Sequence, residues 1–106
     1  MQAVLTASLR EVDYKMELRT LFTELESADN TLKNVIENKI VSFGENAIEF
    51  LIDKLTNSKG VQRGVAAMSL IRIGEASIEK LKMLASANKN FAWVSNYIIQ
   101  EIEGTF

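Results

Sequence analysis

Two pairs of acidic side chains are the part of this sequence that comes nearest to reactive chemistry. Glu45 and Glu49 are four residues apart, as are Glu75 and Glu79, so a helix would place each pair on one side. Two neighbouring carboxylates could act as general acid and general base. However, the sequence has no His and no Cys, the usual general base and thiolate. Because charged helix positions mostly face water, we interpret both pairs as solvated and predict no enzyme activity, metal or cofactor.

A second group of side chains is suited to binding another protein. Trp93 and Tyr97 are one helical turn apart, and so are Met68 and Arg72. Exposed Trp, Tyr, Met and Arg are the residue types that protein–protein interfaces favour. The alternative is structural, because Trp93 and Tyr97 could instead pack against a preceding helix or cover an open end of the fold. The sequence leaves both interpretations open.

The length and composition limit the classes of function. The chain has 106 residues, of which 47% are apolar and 25% charged, as expected for one small globular domain. The formal net charge of −2 gives no electrostatic reason for nucleic-acid binding. No apolar run approaches the roughly 20 residues that span a bilayer, and the N-terminal residues do not resemble a secretory signal. We therefore predict a cytoplasmic protein that binds neither nucleic acid nor membrane.

The strongest pattern is a repeat with a period of 30 residues. The dipeptide Gly44-Glu45 returns as Gly74-Glu75, 30 positions later (74 − 44). Apolar residues follow the same period, in the columns Leu18, Ile48 and Ile78; Leu21, Leu51 and Leu81; Leu25, Leu55 and Ala85. A period between roughly 20 and 50 residues indicates stacked repeats. We divide the single domain 1–106 into a leader, 1–14, and three repeats, 15–44, 45–74 and 75–104.

Each repeat is predicted to form two helices, A and B. The expected helices of the first two repeats are 14–25, 31–43, 46–56 and 61–73, with turns near 26–30 and 57–60. Gly44 and Gly74 are expected to end the B helices with a positive φ, which a glycine adopts without a Cβ clash. The predicted core residues are Leu18, Leu21, Leu25, Leu32, Ile36, Ile40, Phe43, Ile48, Leu51, Ile52, Leu55, Ile78, Leu81 and Leu84.

The last B helix breaks the strict 30-residue register. With that spacing Asn96, Gln100 and Glu103 would be in the core, which is unfavourable for polar side chains. Removing one position from the turn at 86–90 brings Phe91, Ile99 and Ile102 inward instead. We therefore predict that the third repeat is one residue shorter before its B helix.

The leader is harder to interpret. Its apolar residues Leu5, Leu9 and Val12 lie on one side of a helix. A short N-terminal helix is one prediction, and a frayed tail is the other.

Two helices per unit, a Gly-Glu junction and an alanine pair in the second B helix together resemble a known family. The segments Phe43-Gly44-Glu45-Asn46-Ala47-Ile48 and Val65-Ala66-Ala67-Met68-Ser69-Leu70 are similar to the HEAT-like repeat, in the short bacterial version named after phycobilisome lyases. The resemblance is strong for 43–85, fair for 15–42 and weak for 88–104. It implies an all-α, right-handed superhelical solenoid of about three two-helix repeats. It also implies that Arg63, matched by Lys33 and by Trp93, lies where the family often ties adjacent repeats together.

These observations predict a non-catalytic scaffold or adaptor that binds a protein partner. Successive B helices of a solenoid line a continuous surface. The predicted partner-binding residues on that surface are Asn34, Asn38, Met68, Arg72, Trp93, Tyr97 and Gln100. The alternatives are an assembly module that forms a homodimer through an open end of the solenoid, or an accessory subunit of a bilin-lyase-like enzyme.

Overall fold

Helices account for nearly all of the described chain. The computed structural model describes residues 14–104, and in this range it contains helices and no strand. Helix α1 covers 14–24. It is followed by α2 (Asn30–Ser42), α3 (Ile48–Asn57), α4 (Gly60–Ile73), α5 (Ile78–Ala87) and α6 (Ala92–Glu103). Short 3₁₀ turns occupy Leu25–Ser27, Gly44–Ala47, Gly74–Ser77 and Lys89–Phe91. The prediction of an all-α fold is confirmed, whereas the prediction for the leader up to residue 13 lies outside the described residues.

The helices from α2 to α6 pack in two rows. Helix α3 packs against α4, and α5 packs against α6, so each of these pairs is formed by helices adjacent in sequence. Helix α4 also lies between α2 and α6, while α3 lies beside α5. The A-type helices α3 and α5 are therefore neighbours in one row, and the B-type helices α2, α4 and α6 form the other.

The core lies between the two rows and follows the repeat columns. Leu51 and Leu81 are fully buried, and the matching Leu21 is only 8% exposed. On the B helices, Ile40 and Leu70 are fully buried at equivalent positions. Because each helix turns about 100° per residue, residues three and four apart collect on one side, and that side is the one that the opposite row covers.

Leu32 is a correction to the predicted core. Its side chain is 44% exposed, and Val35 on the same helix is 57% exposed. The residue that matches Leu32 on α4 is Gln62, whose Nε2 donates a hydrogen bond to the backbone oxygen of Phe22, 3.2 Å away. Phe43, Ile52, Ile78 and Leu84 were also predicted in the core, and they are half-buried residues that pack against it. Leu32 was wrong because it lies on the side of α2 that faces away from α4.

The shortened third repeat is confirmed. Asn96, Gln100 and Glu103 are exposed, whereas Ile99 is only 7% exposed. Ser95 is fully buried, as is Ala66, which lies 29 residues earlier (95 − 66). Phe91 and Ile102 are half-buried, which agrees with their predicted inward positions.

The helix ends have the expected caps. The side chain of Asp29 accepts a hydrogen bond from the backbone nitrogen of Leu32 at 2.8 Å, which fixes the start of α2. Gly44 has a φ of +58° and Gly74 a φ of +86°, so both glycines adopt the predicted positive values. Each is followed by a glutamate in the first turn of a 3₁₀ segment, where an acidic side chain favours the positive end of the helix dipole.

Replacing either capping glycine with alanine should destabilise the protein. We expect Gly44→Ala and Gly74→Ala each to lower the free energy of unfolding by about 1 kcal/mol, because a Cβ is strained at these φ values. The matched control is Gly64→Ala, which lies inside α4 without a positive φ and whose Cβ would meet no atom within 4 Å. This control should stabilise the protein by up to about 1 kcal/mol through helix propensity. Urea denaturation of the three variants tests both signs, and equal midpoints would contradict the capping role.

Candidate functional site

The exposed side of the B-helix row forms a continuous surface. With the register of the structure, Asn34, Gly64 and Trp93 occupy equivalent positions on α2, α4 and α6. One turn later, Asn38, Met68 and Tyr97 are equivalent. All six residues are exposed. We call these six positions, together with Arg72, the B face.

Trp93 is the most exposed large apolar residue of this face. Its side chain is 73% exposed, compared with 49% for both Met68 and Tyr97. Helix α6 buries Ser95, Ile98 and Ile99 instead, so the turn of the helix carries Trp93 away from the core. Of the two interpretations of Trp93, the structure therefore places it on the surface rather than packed against α4. Whether the B face binds a partner remains a prediction.

Tyr97 interacts with the next turn of its own helix. A hydrogen bond to Glu101, together with the negative charge of that side chain, raises the pKa of Tyr97 above its ordinary value. A negative charge next to the phenol disfavours the phenolate, so the hydroxyl keeps its proton near neutral pH. Tyr97 therefore presents a neutral ring to the B face, one turn away from Trp93.

Arg72 lies at the border between α4 and α2. Its Nη1 is 2.8 Å from Oε2 of Glu37, and the two side chains are 39% and 21% exposed. A partly exposed ion pair contributes little to stability, but it fixes the position of the guanidinium group and shows which side of α4 faces α2. The structure therefore brings Asn34, Asn38, Met68 and Arg72 together on neighbouring helices.

Gln100 lies at the edge of the B face rather than within it. Its equivalents Val41 and Ile71 are half-buried, because a following B helix packs beside them. Gln100 is exposed, and within residues 14–104 no helix follows α6. Together with Asn96 and Glu103 it gives α6 a polar outer side.

Gly64 is a position of the B face that sequence reasoning missed. A Cβ built on Gly64 would meet no atom within 4 Å, so no described residue requires a glycine there. A glycine inside a helix costs about 1 kcal/mol relative to alanine. The missing side chain leaves a gap in the column between Asn34 and Trp93. The available signal was a glycine in mid-helix at a position without packing neighbours.

Arg63 does not tie repeats together by an ion pair. Its guanidinium lies over the ring of Phe91, 5.5 Å from the centroid, and its Nε is buried without a hydrogen-bond partner among the described residues. The register of α6 matches Arg63 with Ala92 and not with Trp93. Adjacent repeats are instead linked by the Gln62–Phe22 hydrogen bond and by Lys80, whose Nζ is 3.2 Å from Oε1 of Glu49.

The acidic pairs line a cleft among the 3₁₀ turns and the starts of the A-type helices. Glu45, Glu49 and Glu79 contribute to its wall together with Lys80, and the cleft has a volume of about 610 Å³. Glu49 is 82% exposed and already paired with Lys80. General acid–base catalysis benefits from surroundings that exclude water, which this open, ion-paired arrangement lacks.

Two searches of residues 14–104 and three comparisons with other proteins add the following findings. In the described part of the chain, no group of three or more His, Cys, Asp or Glu side chains is placed to hold a metal ion. No helix in the same range is both long enough and apolar enough to cross a membrane. The chain matches no protein-family model, and no curated protein or solved structure is significantly similar to it.

Proposed function

We propose that the protein is a non-catalytic scaffold that binds a protein partner through the B face. In this proposal the helices stack as a short right-handed solenoid of three HEAT-like repeats, and the B helices α2, α4 and α6 line the binding surface. The single observation that carries the proposal is the 73% exposure of Trp93 beside the half-exposed Met68 and Tyr97.

The cost of exposing these side chains supports the proposal. A tryptophan buries about 150–250 Å² when it is covered, so an exposed one is a large source of binding free energy for a partner. Asn34 and Asn38 add amide groups that can donate and accept hydrogen bonds. An apolar centre bordered by such polar groups is the usual anatomy of a protein interface.

The homodimer through an open end receives no comparable support. The outer side of α6 carries the exposed polar residues Asn96, Gln100 and Glu103. Stable homodimer interfaces are more apolar than the rest of the surface, and this side is not. No described contact favours a bilin-lyase-like accessory role.

Site-specific photo-crosslinking tests the proposed function. Met68 on the B face and Met83 on α5 are exposed to similar degrees, 49% and 57%. A photoreactive side chain placed at Met68 should give a discrete adduct with a partner protein in cells. The same side chain at Met83 is the matched control and should not give that adduct. Equal adducts from both positions, or an adduct from Met83 alone, would contradict the choice of the B face.

A further inference from the structure

We propose that residues 1–13 of the chain itself cover the outer side of α2, as an amphipathic helix that caps the N-terminal end of the stack. The proposal is independent of the B face. It starts from three equivalent valines, which differ in exposure although they occupy the same position in successive repeats.

Val35, Val65 and Val94 are these equivalent residues, spaced by 30 and 29 positions (65 − 35 and 94 − 65). Val65 is only 8% exposed, and Val94 is half-buried and packs against the core. Val35 is 57% exposed. The repeat thus has a valine that is covered on α4 and α6 but not on α2.

The ion pair of Arg72 identifies what covers Val65. Arg72 is seven residues after Val65, so the two lie on the same side of α4, and Arg72 is bound to Glu37 of α2. The side of α4 that carries Val65 therefore faces the preceding B helix. By equivalence, the side of α2 that carries Val35 faces the place where another B-type helix would pack. No residue in the range 14–104 occupies that place.

The chain leaves the described region at the correct point to fill this place. The ring of Tyr14 contacts the ring of Phe43 edge-on, with centroids 5.5 Å apart, so residues before Tyr14 depart near the C-terminal end of α2. Helix α2 is 13 residues long. At a rise of about 1.5 Å per residue, residues 1–13 are long enough to run back along it to Leu32.

The chemistry of the leader also fits a cap. Leu5, Leu9 and Val12 form one apolar side, and the remaining sides carry polar residues such as Arg10 and Glu11. A terminal cap needs one such apolar side toward its neighbour and a polar side toward water.

A second copy of the chain is a poorer occupant of the same surface. The exposed apolar side chains on this side of α2 are Leu32 and Val35. Two side chains fall well short of the roughly 800 Å² that each partner buries in a typical stable interface. A segment of the same chain needs much less contact, because its effective concentration is high.

Disulfide trapping in the full-length protein tests the proposal, and the natural sequence contains no Cys that would interfere. The double variant Leu9→Cys/Val35→Cys should form an intramolecular disulfide under mild oxidation. The matched control, Leu9→Cys/Met83→Cys, pairs the leader with an equally exposed position on α5. We expect the Val35 pair to react at least about tenfold faster, through its higher effective concentration. Equal rates, no intramolecular product, or covalent dimers in place of the monomeric product would each overturn the proposal.

Hydrogen exchange provides a second readout that needs no crosslink. The variant Leu9→Asp places a charge on the apolar side of the leader and should release it from α2. Backbone amides in α2 should then exchange faster, while those in α6, at the other end of the stack, should not change. Unchanged exchange in α2 would show that the leader does not cover this side.

Discussion

Leu51→Ala is expected to lower the free energy of unfolding by about 2–5 kcal/mol, the range found when a buried leucine is truncated. Leu51 is fully buried on α3, which packs against both α4 and α5. Its removal leaves a cavity that neighbours on three helices can fill only partly. Since small domains have a total stability of about 5–15 kcal/mol, this single change removes a large share of it. Urea denaturation followed by circular dichroism measures the loss.

The matched control for this prediction is Leu32→Ala. It makes the same chemical change at a leucine that is 44% exposed, so the loss should be below about 1 kcal/mol. A loss at Leu32 as large as that at Leu51 would mean that another segment covers Leu32 in solution. That segment would be the leader if the disulfide experiment gives its expected product. Equal and small losses at both sites would contradict the described core.

The positions of the helices and their buried sides could be predicted from the sequence because both depend on local spacing. Leu51 and Leu81 stand in one column of the repeat, and both are fully buried. Gly44 and Gly74 were expected at helix ends because few other residues adopt a positive φ, and the structure agrees. These features are set by a residue and its neighbours within one or two turns.

The errors arose where burial depends on a neighbouring repeat. Leu32 and Val35 have the same apolar character as core residues, but in the described part of the chain no helix precedes α2 to cover them. A periodic pattern identifies one side of a helix. It does not tell whether another helix packs there. Arg63 was similarly expected to form a polar link, whereas it stacks on Phe91 because the third repeat is one residue shorter.

Polar contacts between repeats were also beyond the sequence. Gln62 links α4 to the end of α1 by its hydrogen bond to Phe22, 40 residues away. Ser69 and Ser95 are fully buried without hydrogen-bond partners among the described residues. A small side chain at a helix contact permits a short distance between helices, which spacing alone does not report. The exposed B face could be predicted in outline because it is the side that remains once the core positions are assigned.

Trp93→Ala is the prediction with the largest expected effect on binding. If the B face binds a protein, truncating its most exposed aromatic residue should weaken binding by more than about 2 kcal/mol, the scale of an interface hot spot. Stability should change much less than the 3–5 kcal/mol or so that a core tryptophan would cost, because the ring is 73% exposed. Calorimetric titration with the partner identified by crosslinking measures the first quantity, and thermal unfolding measures the second.

The chain offers both a control and an internal probe for this experiment. Glu79→Ala changes an exposed residue on α5, in the other row of helices, and should leave binding unchanged. Trp93 is the sole tryptophan of the sequence, so its fluorescence reports on the B face directly. Covering the ring should shift its emission to shorter wavelength, because the indole leaves water. Binding that is as tight in Trp93→Ala as in the natural protein, without any shift in emission, would place the partner elsewhere. If Trp93→Ala instead unfolds the domain, the ring belongs to the core, and the assignment of the B face fails.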